Sequence, residues 1–405
     1  MSSEPATRVK LLCDVVDVRA GNRRPTLLAV SIHHGVIPRE YLTHDEPRAD
    51  NLDSYKLCEP GDLVLNRMRA FQGAIGVADR SGIVSPDYLV LRPRRGTEAR
   101  FLHYLFRSSW FVGEMVARLR GIGSVDTGSV RTPRINADDL FDIRVHVPPR
   151  AEQQAVADYL DRETARIDAL IAAKHRARSL LDERFAAIRD ATIVLLDGPS
   201  IKLGRFVQSI GQGFSPQAED RQAEPGEWGV LKLSAVKSGV FVPSEHKALS
   251  PETKPIPSLV PRAGDLLVTR ANTPQLVGDV CAVNRAPERL MLCDLIYVLR
   301  LSPDLDTRFA AEALLAGPAR LQLSSAARGT SQSMVKLRGE DVKGVEIVVP
   351  PLPRQHDVVA MLDSVRRQHA LLDESLRRSV ELLHERRRAL ITAAVMGNLP
   401  IQVAA

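Results

Sequence analysis

A long internal duplication constrains this chain more than any other feature. Val147-Pro148-Pro149 opens one extended helical stretch, and Val349-Pro350-Pro351 opens another at an offset of 202. The same offset carries Gln153 to Gln355, Leu160-Asp161 to Leu362-Asp363, and Arg184 to Arg386. Upstream, Pro60-Gly61-Asp62-Leu63-Val64 matches Ala263-Gly264-Asp265-Leu266-Leu267 at 203, and Val9-Lys10-Leu11 matches Ile201-Lys202-Leu203 at 192. The drift between these offsets puts roughly a dozen extra residues in the second half, and the polar run 216–229 is the natural place for them. A repeat of this length means two copies of one unit, each a module followed by a helix.

The modules read as mixed α and β. Residues 27–32, 63–66, 88–92 and 143–147 have strand patterns, matched by 230–233, 266–269, 296–301 and 345–349. Residues 101–119 and 308–327 have helical spacing. Only 4% of residues are aromatic, so Leu, Val, Ile and Ala must fill much of the core.

The two long helices share a heptad phase. Leu160, Ile167, Lys174, Leu181 and Ile188 recur every seven residues in the first; Leu362, His369, Leu376, Leu383 and Leu390 do so in the second. Companion positions are read at Leu170 and Ala177, and at Val365 and Leu372. A stripe of this period is a coiled-coil seam. Each helix would run ~66 Å at ~1.5 Å per residue, too long to bury its stripe on its own module. The expected fold class is therefore α+β: two mixed α/β modules in tandem, each followed by a long helix. The helices are expected to form an antiparallel coiled coil with internal pseudo-twofold symmetry. The expected boundaries are 1–149 for the first module, 150–197 for its helix, 198–351 for the second module, 352–399 for its helix and 400–405 for a tail. Lys174 and His369 read as register-setting or snorkelling residues.

Two similar, non-identical modules on a rigid spacer suit a target with two separate half-sites, and duplex DNA is one, although adaptor proteins share the arrangement. A net charge of +6 permits a polyanionic partner without demanding one. Local arginines are the better guide. Arg67 and Arg69 follow the Gly-Asp-Leu strand of the first module, and Arg270 and Asn272 follow that of the second. Arginine suits guanine and asparagine suits adenine, because each can bond two base-edge atoms at once. Arg92 and Arg94 form a second group. Arg120 and Arg131 flank the Gly-rich run 121–128, and Arg328, Gln332 and Lys336 occupy the matching loop.

Searches for chemistry return little. The Gly-rich run lacks the Gly-Lys-Ser/Thr ending of a phosphate loop, and Gly211-Gln212-Gly213 lacks the third glycine of a dinucleotide fingerprint. Glu245-His246-Lys247 matches half of a metal-dependent nuclease motif, but the nearest upstream Pro-Asp, Pro86-Asp87, lies in the other module. The cysteines, Cys13, Cys58, Cys281 and Cys293, form no CxxC pair and read as free thiols. No catalytic or metal-binding residue is expected. The first residues lack the apolar run of a secretory leader, so a cytoplasmic protein is expected.

The helix motifs carry a resemblance. Val147-Pro148-Pro149-Arg150-Ala151-Glu152-Gln153, then Tyr159-Leu160-Asp161 and Ile167-Asp168, and at the other end Ala389-Leu390-Ile391-Thr392-Ala393-Ala394-Val395-Met396-Gly397, are similar to the conserved helices of type I restriction–modification specificity subunits. The second copy departs from the pattern: Arg354-Gln355 replaces Glu-Gln, and Leu362-Asp363 lacks the preceding tyrosine. The resemblance implies two target-recognition domains joined by a helical spacer. It implies double-stranded DNA and two methyltransferase subunits as partners, with motor-nuclease subunits completing a restricting complex. S-adenosylmethionine would belong to the methyltransferase, with no cofactor in this chain. Each domain would read one part of a bipartite, asymmetric DNA site, with helix length fixing the gap. The same architecture could serve a non-restricting methylation or defence complex, or a protein–protein adaptor.

Overall fold

A computed structural model describes residues 6–23, 25–32, 35–43, 52–119, 134–331 and 334–403. The chain divides into two units: Met1–His175 with Leu376–Ala405, and Arg176–Ser375.

Each unit is built on a four-stranded antiparallel sheet of one order. In the first the order is Cys13–Val15, Tyr88–Pro93, Leu63–Asn66, Ile75–Val77; in the second it is Val207–Gln212, Ile296–Leu301, Leu266–Thr269, Val280–Ala282. The registers correspond, Leu63 facing Leu91 and Leu266 facing Leu299. The central strands are apolar on both faces because both faces are covered. Leu63 and Leu65 pack with Phe101, Leu102 and Phe106, while Val64 turns to Leu28, Val36 and Val84. In the second unit Leu266 and Val268 face Phe309 and Leu314, and Leu267 faces Val230 and Met291.

The expected helices 101–119 and 308–327 are each broken in two. Ala99–Arg107 and Ser109–Val116 meet at Ser108, which is extended (φ −64°, ψ 147°) and accepts from the Phe111 amide through Oγ. Thr307–Leu315 and Gly317–Ala326 meet at Ala316, likewise extended, just before Pro318. Hydrophobic spacing carries across both breaks, so it could not reveal them.

The long helices are Arg150–Val194 and Leu352–Val395, and their opening motifs do the same work twice. The buried Gln153 accepts from the Glu98 amide (2.8 Å) and donates to the carbonyls of Gly96 (3.2 Å) and Pro148 (2.8 Å). Gln355 accepts from Asp306 (2.8 Å) and donates to Asp304 (3.2 Å) and Pro350 (2.9 Å). Leu160 and Leu362 are fully buried, and the aspartates after them, Asp161 and Asp363, pair with Arg100 and Arg308. Each module is thus clamped to its helix by one glutamine, one leucine and one Asp–Arg pair.

Within each unit the two helical segments run antiparallel. In the first unit Ile167, Ile171 and Val380 form a small core with Leu383 and Leu390, and Arg387 reaches Asp168 at 3.2 Å. In the second Arg178 meets Asp373 at 2.6 Å, and His369 meets Asp182 at 2.8 Å beside the Phe185 ring. Leu181, Ile188 and Leu376 are half-buried. Three of the four companion positions differ from the expectation, Leu170 and Leu372 being 44% and 52% exposed and Ala177 exposed, while Val365 is half-buried. The second stripe runs instead through Thr164, Ile171, Arg178 and Phe185, and through Arg366, Asp373, Val380 and Arg387, all buried or half-buried. Many of these are polar, so a search for apolar residues passes over them.

Gly213, read in sequence as a fragment of a nucleotide-binding fingerprint, serves packing. A Cβ there would lie 2.2 Å from the carbonyl oxygens of both Leu292 and Cys293.

Candidate nucleic-acid interface

In the second unit the central strand Leu266–Thr269 continues through Arg270 into the short strand Ala271–Asn272. That strand pairs with Met334–Lys336, which pairs in turn with Arg328–Ser331. One three-stranded sheet therefore gathers Asn272, Arg328 and Lys336, with Arg270 at its root. Lys336 is exposed, and Arg328, 60% exposed, lies 3.5 Å from Asp341. The Arg270 guanidinium stands over the Tyr297 ring at 5.9 Å, a cation–π arrangement. Asn272 turns its Oδ1 back to the Thr273 amide, which leaves its NH2 to donate.

The first unit differs at the equivalent place. Arg67 donates from Nε to the Ile135 carbonyl and from Nη2 to Asn136 Oδ1, both at 3.0 Å. Its fork is spent on holding residue 135 to the end of the strand. Arg69 is exposed, and among the described residues no carboxylate pairs with it. Beside it Asn66 donates to the Tyr88 hydroxyl at 3.3 Å, and burial raises the Tyr88 pKa.

Arg92 and Arg94 do not join this group. They lie toward the opposite end of the sheet, where Arg92 grips Asp62 with two bonds of 2.8 and 2.9 Å and Arg94 grips Asp14. Asp62 is almost fully buried and also accepts from the Glu59 amide. The second unit repeats the device with Arg300, Asp265 and the Arg262 amide. Arg92 is thus part of the duplicated scaffold, and the Gly-Asp turn exists to bury its aspartate against that arginine. Arg120, Arg131 and Gln332 lie outside the described residues.

Sequence reasoning missed Tyr297 and Lys56. The latter is buried and donates to the Tyr88 carbonyl at 2.8 Å. Neither stands in a recognisable motif; strand pairing brings Tyr297 under Arg270 and Lys56 to the Tyr88 carbonyl. Among the described residues no group of three or more His, Cys, Asp or Glu could hold a metal, and no helix is long and apolar enough to cross a membrane.

Comparison with known proteins agrees with this architecture. No protein-family model matches the chain. The specificity subunit of the type I restriction enzyme EcoEI from Escherichia coli is 29% identical over 165 residues, 40% of this chain and 28% of that protein. The EcoKI specificity subunit, from strain K12, is 21% identical over 336 residues, 77% of this chain and 68% of that one. The chain resembles type I restriction–modification specificity subunits. A solved structure of a type I R-M system shares the fold with a TM-score of 0.67 at 19% identity, covering 98% of both chains. The match to EcoEI spans little more than a quarter of that relative, while those to EcoKI and the type I structure extend over both halves of the duplication.

Proposed function

We propose that this chain recognises DNA sequence for a methylation or restriction complex, each unit reading one part of a split, asymmetric site. One observation carries the reading. The two units keep the same sheet order, glutamine clamp and buried Asp–Arg pair, yet differ at the edge past the central strand. There one unit offers Arg69 and the other Arg270, Asn272, Arg328 and Lys336. A shared scaffold with divergent donors on its rim suits two different base sequences, because donors that reach base edges set specificity while the frame sets position. Methyl transfer from S-adenosylmethionine would fall to two partner methyltransferase subunits, and DNA cleavage to motor-nuclease subunits where present. The chain itself would direct them without performing chemistry.

Single-molecule methylome sequencing of a host with and without the gene tests this. Loss of one split motif on deletion, and its return with the gene, is the expected result. An unchanged methylome overturns the reading and leaves the protein–protein adaptor.

A further inference from the structure

Arg67 and Arg270 are equivalent by position, each the first residue after a matching central strand. Their backbones behave alike: the Arg67 carbonyl accepts from the Ile135 amide at 3.2 Å, and the Arg270 carbonyl accepts from the Leu337 amide at 2.8 Å. Their side chains do not. Arg67 closes the loop by donating Nε to the Ile135 carbonyl. The counterpart carbonyl, that of Leu337, is already taken by the Tyr297 hydroxyl at 3.3 Å. Strand register explains the change. Tyr297 faces Val268 where, in the first unit, Leu89 faces Leu65, and leucine has no hydroxyl to offer. Displaced from the carbonyl, Arg270 lies over the tyrosine ring with its Nε buried and unbonded. Among the described residues nothing accepts from its Nη1 and Nη2.

From this geometry we infer that Arg270 is the guanine-reading residue of the second unit, held by Tyr297, whereas Arg67 is a scaffold residue that reads nothing. The inference rests on the DNA-recognition reading above and assigns roles within it. A guanine presents O6 and N7 side by side in the major groove, and the two terminal nitrogens of an arginine match them end-on. An arginine stacked on a ring loses little freedom on binding, so its discrimination is not spent on ordering the side chain. Arg67 cannot present the same fork without releasing Ile135 and Asn136.

The test replaces the gene in its host, with its partner subunits intact, and reads the methylated motif. With Arg270→Ala, one guanine position in one part of the motif should lose a preference of roughly ten- to a hundredfold while every other position stays. Tyr297→Leu should relax the same position, because the Leu337 carbonyl becomes free to draw Arg270 down. Arg67→Ala should leave the motif unchanged. A wild-type gene that restores no motif overturns the DNA-recognition reading and this inference together. A restored motif that Arg270→Ala leaves identical at every position overturns the inference alone. So does a relaxed position with Arg67→Ala. Should Arg270→Ala abolish methylation, purified full-length variant is selected against a random-sequence duplex library, with circular dichroism to establish that it is folded. Enrichment of a motif degenerate at one position supports the inference, and a folded variant that enriches nothing overturns it.

Discussion

Replacing Gln355 by leucine tests the clamp that begins each long helix. Leucine keeps nearly the same volume, so no large cavity opens, but it removes one acceptor and one doubly used donor group. The Asp306 amide and the carbonyls of Asp304 and Pro350 all lose their partner. Each such bond contributes about 1 kcal/mol net, and a donor left without a partner costs more than an acceptor that keeps a second lone pair near water. Three bonds give about 3 kcal/mol, a large share of the stability of a unit this size. With a urea slope of about 2 kcal/mol/M, the midpoint should fall by roughly 1.5 M. Gln153→Leu should do the same through Glu98, Gly96 and Pro148, since its three distances match within 0.1 Å. Urea titration followed by hydrogen-exchange mass spectrometry on the peptides holding residues 96–104 and 304–312 assigns each loss to its clamp. A shift below about 0.3 M in both variants would refute the view that these glutamines fasten module to helix.

Several further outcomes are expected. Burial raises the pKa of Cys13 to about 12 and of Cys58 and Cys293 to about 11, and raises that of Cys281 further, so none should be a thiolate at pH 8. A disulfide reagent such as DTNB should leave all four unmodified in the folded protein and titrate all four in denaturant. His103 is pushed down to about 3 by burial and by the nearby Arg107 and Arg387, so its NMR signal should not titrate between pH 5 and 8. Its folded pKa lies below the unfolded value, so the unfolded chain takes up the proton first. The stability His103 gives by staying neutral is whole above about pH 6.5 and falls as pH drops toward 3; His103→Gln should remove that part of the slope in pH-dependent urea melts. A double-mutant cycle on Arg178 and Asp373, both part-exposed, should return no more than about 1 kcal/mol of coupling, falling with salt.

The sequence made the duplication plain because scaffold residues repeat for physical reasons that motif spacing preserves. Gln153 and Gln355 recur because a helix must be fastened to its module in the same way twice, and Asp62 and Asp265 recur because each is buried against an arginine. What stayed hidden depended on partners distant in sequence. Arg92 looked like a free surface arginine because Asp62, 30 residues away, becomes its partner only when the strands pair. The second stripe of the helix pair was misplaced because Arg178, Asp373 and Arg387 stand in it, and a polar residue leaves no hydrophobic signature. Leu170 and Leu372 supplied that signature while facing solvent.

On the proposed reading, the contrast between Leu89 and Tyr297 gives a duplicated chain a route to reading two sequences. Both positions are buried in the sheet, and both side chains satisfy the same packing demand. Only one brings a hydroxyl, and that hydroxyl takes the carbonyl on which the neighbouring arginine would otherwise be spent. On that reading, a residue beneath the rim decides whether an arginine two strand positions away belongs to the frame or to the rim. Specificity in such a fold need not arise by changing the residues that face the target. It can arise one layer beneath, where a change in hydrogen-bonding capacity releases or withdraws a side chain that both halves already possess.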